Sequence, residues 1–134
     1  RLDVPSTDDY ERLIDRACLS IPNDGSGEST TNYFSEKLKI LFAGTGEGSL
    51  SLIGLPIGPA IPLDIIRYIQ HRAGKVLNSQ ALVEGLEMFL FPQLESKTEK
   101  YAAVLSALEL LVPNEPILKS ASRSLAAWTG HEGG

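Results

Sequence analysis

The chain has 134 residues, enough for one domain that buries about two-thirds of its unfolded surface. Its 43% hydrophobic and 22% charged residues are ordinary for a globular protein. The net charge of −5 speaks against bulk nucleic-acid binding, which needs many cations facing phosphates. No apolar run approaches the ~18–20 residues of a membrane span, and the opening Arg1-Leu2-Asp3-Val4-Pro5 has no apolar signal core. The single Cys18 closes no internal disulfide, so a reducing cytoplasm is the expected setting. A start on Arg1 suggests a fragment of something longer, or processing.

The first helix is expected from Ser6 or Thr7, both good caps, with Asp8, Asp9 and Glu11 at the positive end of its dipole. Tyr10, Leu13, Ile14, Ala17 and Cys18 repeat at helical spacing, and Pro22 to Gly25 stop the run. Residues 22–32 read as a mobile polar loop. A second helix is predicted over Thr31 to Phe42. The Gly- and Pro-broken apolar stretch that follows allows a small β-hairpin near residues 48–58.

A third helix is predicted to begin at Pro62, a favoured first-turn position, and to end at Gly74. A fourth runs from Asn78/Ser79 to Phe91, where Pro92 interrupts it. A fifth starts near Ser96 to Thr98 and carries the stripe Tyr101, Val104, Leu105, Leu108, Leu111 and Val112. A sixth takes Asn114 as cap and Pro116 in its first turn, with Ile117, Ala121, Leu125 and Trp128 as its buried line. Tyr101, Leu105, Leu108 and Leu111 are expected to face Leu82, Leu86, Phe89 and Trp128. The tail, residues 130–134, is expected to be disordered. Together these elements predict a mostly α single domain, a compact bundle of five to six short helices.

Chemistry-bearing motifs are sparse. Gly44 to Ser49 is glycine-rich, but it lacks the Lys of a Walker loop and places Glu47 where phosphate would sit. His71 and His131 have no second His or Cys at ligand spacing, so no metal site is expected. Cys18 falls on an apolar stripe and reads as a small core residue. Glu84 and Glu87, one turn apart, read as solvated charges. No catalytic residue is assigned. The third helix is more informative: Pro62, Ile65, Ile66, Ile69 and Ala73 share one side, with Asp64, Arg67 and His71 on the other. Arg67, Arg72 and Lys75 make it the locally basic stretch of an acidic chain. A helix start followed by an outward Arg can meet an anion; taken alone, Arg67 reads first as a solvated surface residue pairing with Asp64.

The run Ile57-Gly58-Pro59-Ala60-Ile61-Pro62-Leu63-Asp64-Ile65-Ile66-Arg67-Tyr68-Ile69, then Leu82-Val83-Glu84-Gly85-Leu86-Glu87-Met88-Phe89-Leu90-Phe91-Pro92-Gln93-Leu94-Glu95, resembles the C-terminal helical lid of McrB-like AAA+ ATPases, relatives of dynein and MoxR modules. Tyr101 to Leu108 is similar to the family's next helix, and the resemblance spans residues 38–129; residues 1–37, an N-terminal helix and loop, lie outside it. It implies a lid that packs over a nucleotide held by a separate core domain of the same polypeptide. That core, which this chain lacks, would bind ATP and Mg²⁺, and neighbouring ring subunits would be further partners. The family's sensor Arg falls where this chain has Leu63. Arg67, one turn on, is the nearest substitute, with Ile61, Pro62 and Leu63 as candidate contacts to the base. A non-enzymatic helical adaptor or assembly module is the competing reading, based on the surplus of amphipathic helices. A helix-turn-helix reading conflicts with the acidic balance and the apolar fourth helix.

Overall fold

The structure, a computed structural model, describes residues 7–21, 30–44, 46–55, 57–72, 74–113 and 115–131. Six α-helices follow in order: α1 (Thr7–Cys18), α2 (Thr30–Leu38), α3 (Ala60–Arg72), α4 (Asn78–Phe89), α5 (Tyr101–Leu111) and α6 (Glu115–Thr129). One π-helical turn, Lys39–Ala43, prolongs α2, and 3₁₀ turns at Phe91–Leu94 and Thr98–Lys100 lead from α4 into α5. No strand forms among the described residues, and no helix among them is long and apolar enough to cross a membrane.

The helices pack because each buries one stripe. Tyr10, Ile14 and Cys18 of α1, Phe34 and Leu38 of α2, Ile65, Ile66 and Ile69 of α3, Leu82 and Leu86 of α4, Leu108 of α5 and Leu125 of α6 belong to one continuous apolar cluster. α4 lies at the centre, against α3 on one side and α6 on another, and also meets α2. Its approach to α3 depends on Gly85: a Cβ there would lie 2.9 Å from Ile65 Cγ2, inside contact distance. α1 packs on α2, the π turn and α3. The Tyr10 hydroxyl donates to the Ile57 carbonyl at 2.8 Å, tying α1 to the approach to α3. Burial of that phenol pushes its pKa above the ordinary tyrosine range.

Several sequence expectations need correction. The segment considered for a hairpin near residues 48–58 is a series of tight turns over its described residues. Ser49 N–H donates to Gly46 O at 3.1 Å and Gly54 N–H to Ser51 O at 3.2 Å, local bonds that leave no cross-strand ladder. Gly48 and Gly54 take φ of +83° and +78°, which turn the chain back on itself. Leu50 N–H instead bonds Leu41 O in the π turn at 2.9 Å, and the Ser49 and Ser51 hydroxyls both donate to Gly44 O. α3 begins at Ala60, two residues before Pro62. Trp128 is 38% exposed and so lies at the edge of the core. Tyr101, Leu105 and Phe89 are half-buried at the margin of the core that holds Leu108, Leu111, Leu82 and Leu86, and α5 packs on α6 instead of directly facing α4. His131, expected in a disordered tail, has its ring stacked on Tyr101, centroids 3.9 Å apart, and its N–H bonded to Ala126 O at 3.0 Å. The Ser6 and Asn114 caps, Ala73, the core of the 22–32 loop and residues 132–134 lie outside the described residues.

Candidate functional site

The outer side of α3 and its seam with α4 hold the charged groups that the sequence marks out. Ile65, Ile66 and Ile69 point into the core, and helical geometry then sends Arg67 outward. Its side chain is 75% exposed and pairs with Asp64 at 3.2 Å, one turn back on the same helix. Pro62 is buried, whereas Ile61 and Leu63 on either side are half-buried. The four sequence-selected residues therefore divide. Ile61 and Leu63 present partial apolar surface at the helix start, Pro62 backs them from the core, and Arg67 stands one turn away in solvent.

The seam with α4 carries a network the sequence reading did not assemble. Arg72 grips Glu84 with two bonds, Nε to Oε1 at 2.9 Å and Nη2 to Oε2 at 3.2 Å. Tyr68 donates its hydroxyl to Oε1 at 2.7 Å, and Gln80 donates its amide to Oε2 at 3.1 Å. Hydrogen bonding from Arg72 holds the Glu84 carboxyl below its ordinary range, and burial then Glu84 raise Tyr68. A carboxylate so fully engaged is a poor proton acceptor, so the network acts as a clamp between α3 and α4. Glu84 is thus a half-buried anchor and not a freely solvated charge. The available signal was reciprocal spacing: Tyr68 and Arg72 on one helix and Gln80 and Glu84 on the next are each four residues apart, which places each pair on one face.

The neighbouring Glu87 behaves differently. Burial raises its pKa, opposed by a bond with Ser124 on α6, with Glu84 nearby adding to the rise. Cys18 is fully buried, and burial pushes its thiol up to about 12, which makes it inert as a nucleophile at neutral pH. Among the described residues, no group of three His, Cys, Asp or Glu side chains is arranged to hold a metal ion. Comparison with known proteins gives no match to a family model, a curated protein or a solved structure.

Proposed function

We propose that this chain is the helical lid of an AAA+ ATPase, packing over a nucleotide bound to a core domain of the same polypeptide and relaying its state to neighbouring ring subunits. The observation that carries this reading is the division of α3 into a core face and an outward Arg67. The Arg67–Asp64 pair lies on the surface, where such pairs contribute about 0–1 kcal/mol, so Arg67 can leave it for a phosphate at small cost. Ile61 and Leu63 supply the apolar edge for a base, and Pro62 fixes that edge to the core. The clamp between α3 and α4 makes the two helices move together, which a lid that rotates as one body requires. ATP and Mg²⁺ belong to the core domain, where the metal neutralises phosphate charge. This chain contributes a cation and an apolar surface, and alone it turns over no ATP.

The test has two steps. The reading frame upstream of residue 1 is sequenced for a Walker A and Walker B pair; their absence overturns the proposal. In the full-length protein, Arg67→Ala and Arg72→Ala are then compared for ATPase rate and thermal stability. Arg67→Ala is expected to slow turnover by about tenfold or more, as loss of a charge-assisted phosphate contact does, with melting unchanged. Arg72→Ala is expected to lower the melting temperature through loss of the Glu84 clamp, with a smaller effect on turnover per folded molecule. A wild-type rate for folded Arg67→Ala removes Arg67 from the site.

A further inference from the structure

A second surface, away from α3, has the shape and charge of a recognition groove. The turns over residues 46–54 stand beside α5 and leave a cleft of about 500 Å³ between them. Its floor is the small-residue side of α5, Ala103, Ser106 and Ala107, one helical stripe. Two exposed leucines line it, Leu52 from the turns at 59% exposure and Leu110 from α5 at 58%. Ile40 of the π turn, 44% exposed, extends the patch, because Ile40 and Leu110 both approach Gly48, within 3.4 and 3.8 Å of where its Cβ would lie. The cleft is braced at its other end: Lys100 Nζ donates to the Ile53 carbonyl at 2.9 Å.

Charge narrows the occupant. The charged side chains lining the cleft are Glu47 and Glu109, both exposed and both acidic. Lys100, beside the cleft, is already committed to Ile53. Backbone chemistry narrows it further. A strand-like guest pairs with an open strand edge, yet one side of the cleft is a series of turns, with the Ser49 and Ile53 N–H groups bonded inside it, and the other is helix α5. A guest helix needs none of these. It needs apolar anchors at successive turns, a floor low enough to receive them, and cations to meet the rim. We infer that this cleft docks a basic amphipathic helix of a partner protein, its apolar side chains seated over Ala103 and Ala107 between Leu52 and Leu110, and its Lys or Arg facing Glu47 and Glu109. This inference stands independently of the lid reading, since it uses a different face and the chain alone.

The experiment displays a random library of peptides about 16 residues long, roughly four helical turns, against the immobilised chain, then measures synthetic peptides of the enriched sequences. The expected consensus places large apolar residues three or four apart with Lys or Arg flanking them. Affinity is expected to fall about tenfold or more on Leu110→Ser, Leu52→Ser and Glu109→Lys, each about 1.4 kcal/mol in binding, and to weaken with salt. Leu77→Ser, which alters an exposed leucine outside the cleft, is expected to leave it unchanged. Circular dichroism confirms that each variant is folded. No enrichment, an acidic or unpatterned consensus, binding indifferent to the three cleft variants, or self-association of the chain through Leu52 and Leu110 overturns the inference.

Discussion

Glu84 and Glu87 sit one turn apart on α4, and their surroundings drive their protonation in opposite directions. Glu84 is held low by Arg72, so its clamp stabilises the fold above the ordinary carboxylate range and is lost as pH falls through its depressed folded-state value. Glu87 is held high by burial, so it is penalised when charged and the penalty disappears once pH falls below its unfolded value, about 4.3. At neutral pH Glu84→Gln is therefore expected to destabilise the fold by at most about 1 kcal/mol after solvent screening, and so to lower the melting temperature. Glu87→Gln is expected to raise it, since the amide keeps a partner for Ser124 without the buried charge. Both differences from wild type narrow in acid. Melting curves across pH 3–7 (roughly the range of carboxylate titration) check this, and shifts of the same sign at neutral pH would refute the assignment. Sequence reading treated the two residues as equivalent because periodicity gives their common face but not what lies opposite. Arg72 and Ser124 are distant in the chain, and only the packing of α3 and α6 around α4 separates the pair.

At the scale of the helices, legibility followed periodicity. α3 to α6 were readable because apolar residues recur at 3.6-residue spacing and Gly, Pro and short polar turns punctuate them. The 46–55 segment was not, because its turns depend on which donors other elements leave open: Leu50 N–H bonds Leu41 O only once the π turn is in place. The cleft was hidden for the same reason, since half its wall is that segment. Gly85 shows a related limit. In the sequence it is a helix-weakening glycine, about 1 kcal/mol less favourable than Ala. In the fold it sits tightly against α3, with Ile65 Cγ2 at 2.9 Å from a Cβ position. Ile65 is fully buried and β-branched, so it has no easy rotamer to yield. Overpacking of this kind costs about 1–3 kcal/mol, which outweighs the propensity gain. Gly85→Ala is expected to destabilise the protein in denaturant titration, and Gly85→Ala with Ile65→Val to recover part of the loss. A more stable single variant would show that α3 and α4 are not in tight contact there.

For the molecule as a whole, the question is whether α1 and α2 belong to the same folding unit as the four helices that follow. The resemblance covers only residues 38–129, yet Tyr10, Ile14 and Phe34 lie in the same apolar cluster as Leu108 and Leu125. Shared burial of that kind couples distant elements, because a cavity opened at one end is felt by the whole packed interior. α5 gives a clean test, as its two faces differ: Leu108 is buried in the cluster and Leu110 lines the cleft. Leu108→Ala is expected to cost roughly 2–5 kcal/mol, a large share of the ~5–15 kcal/mol that holds a domain folded. Leu110→Ser, an exposed change, is expected to stay within about 0.5 kcal/mol. If the chain is one cooperative unit, Leu108→Ala lowers the protection of α1 amides against hydrogen exchange as much as that of α6 amides. Trp128 fluorescence, which reports α6 from the core's edge, then melts together with the far-ultraviolet dichroism of the whole chain. Unchanged protection in α1 beside a weakened α6 would mean that the first two helices fold on their own, and that the shared cluster joins two units instead of forming one.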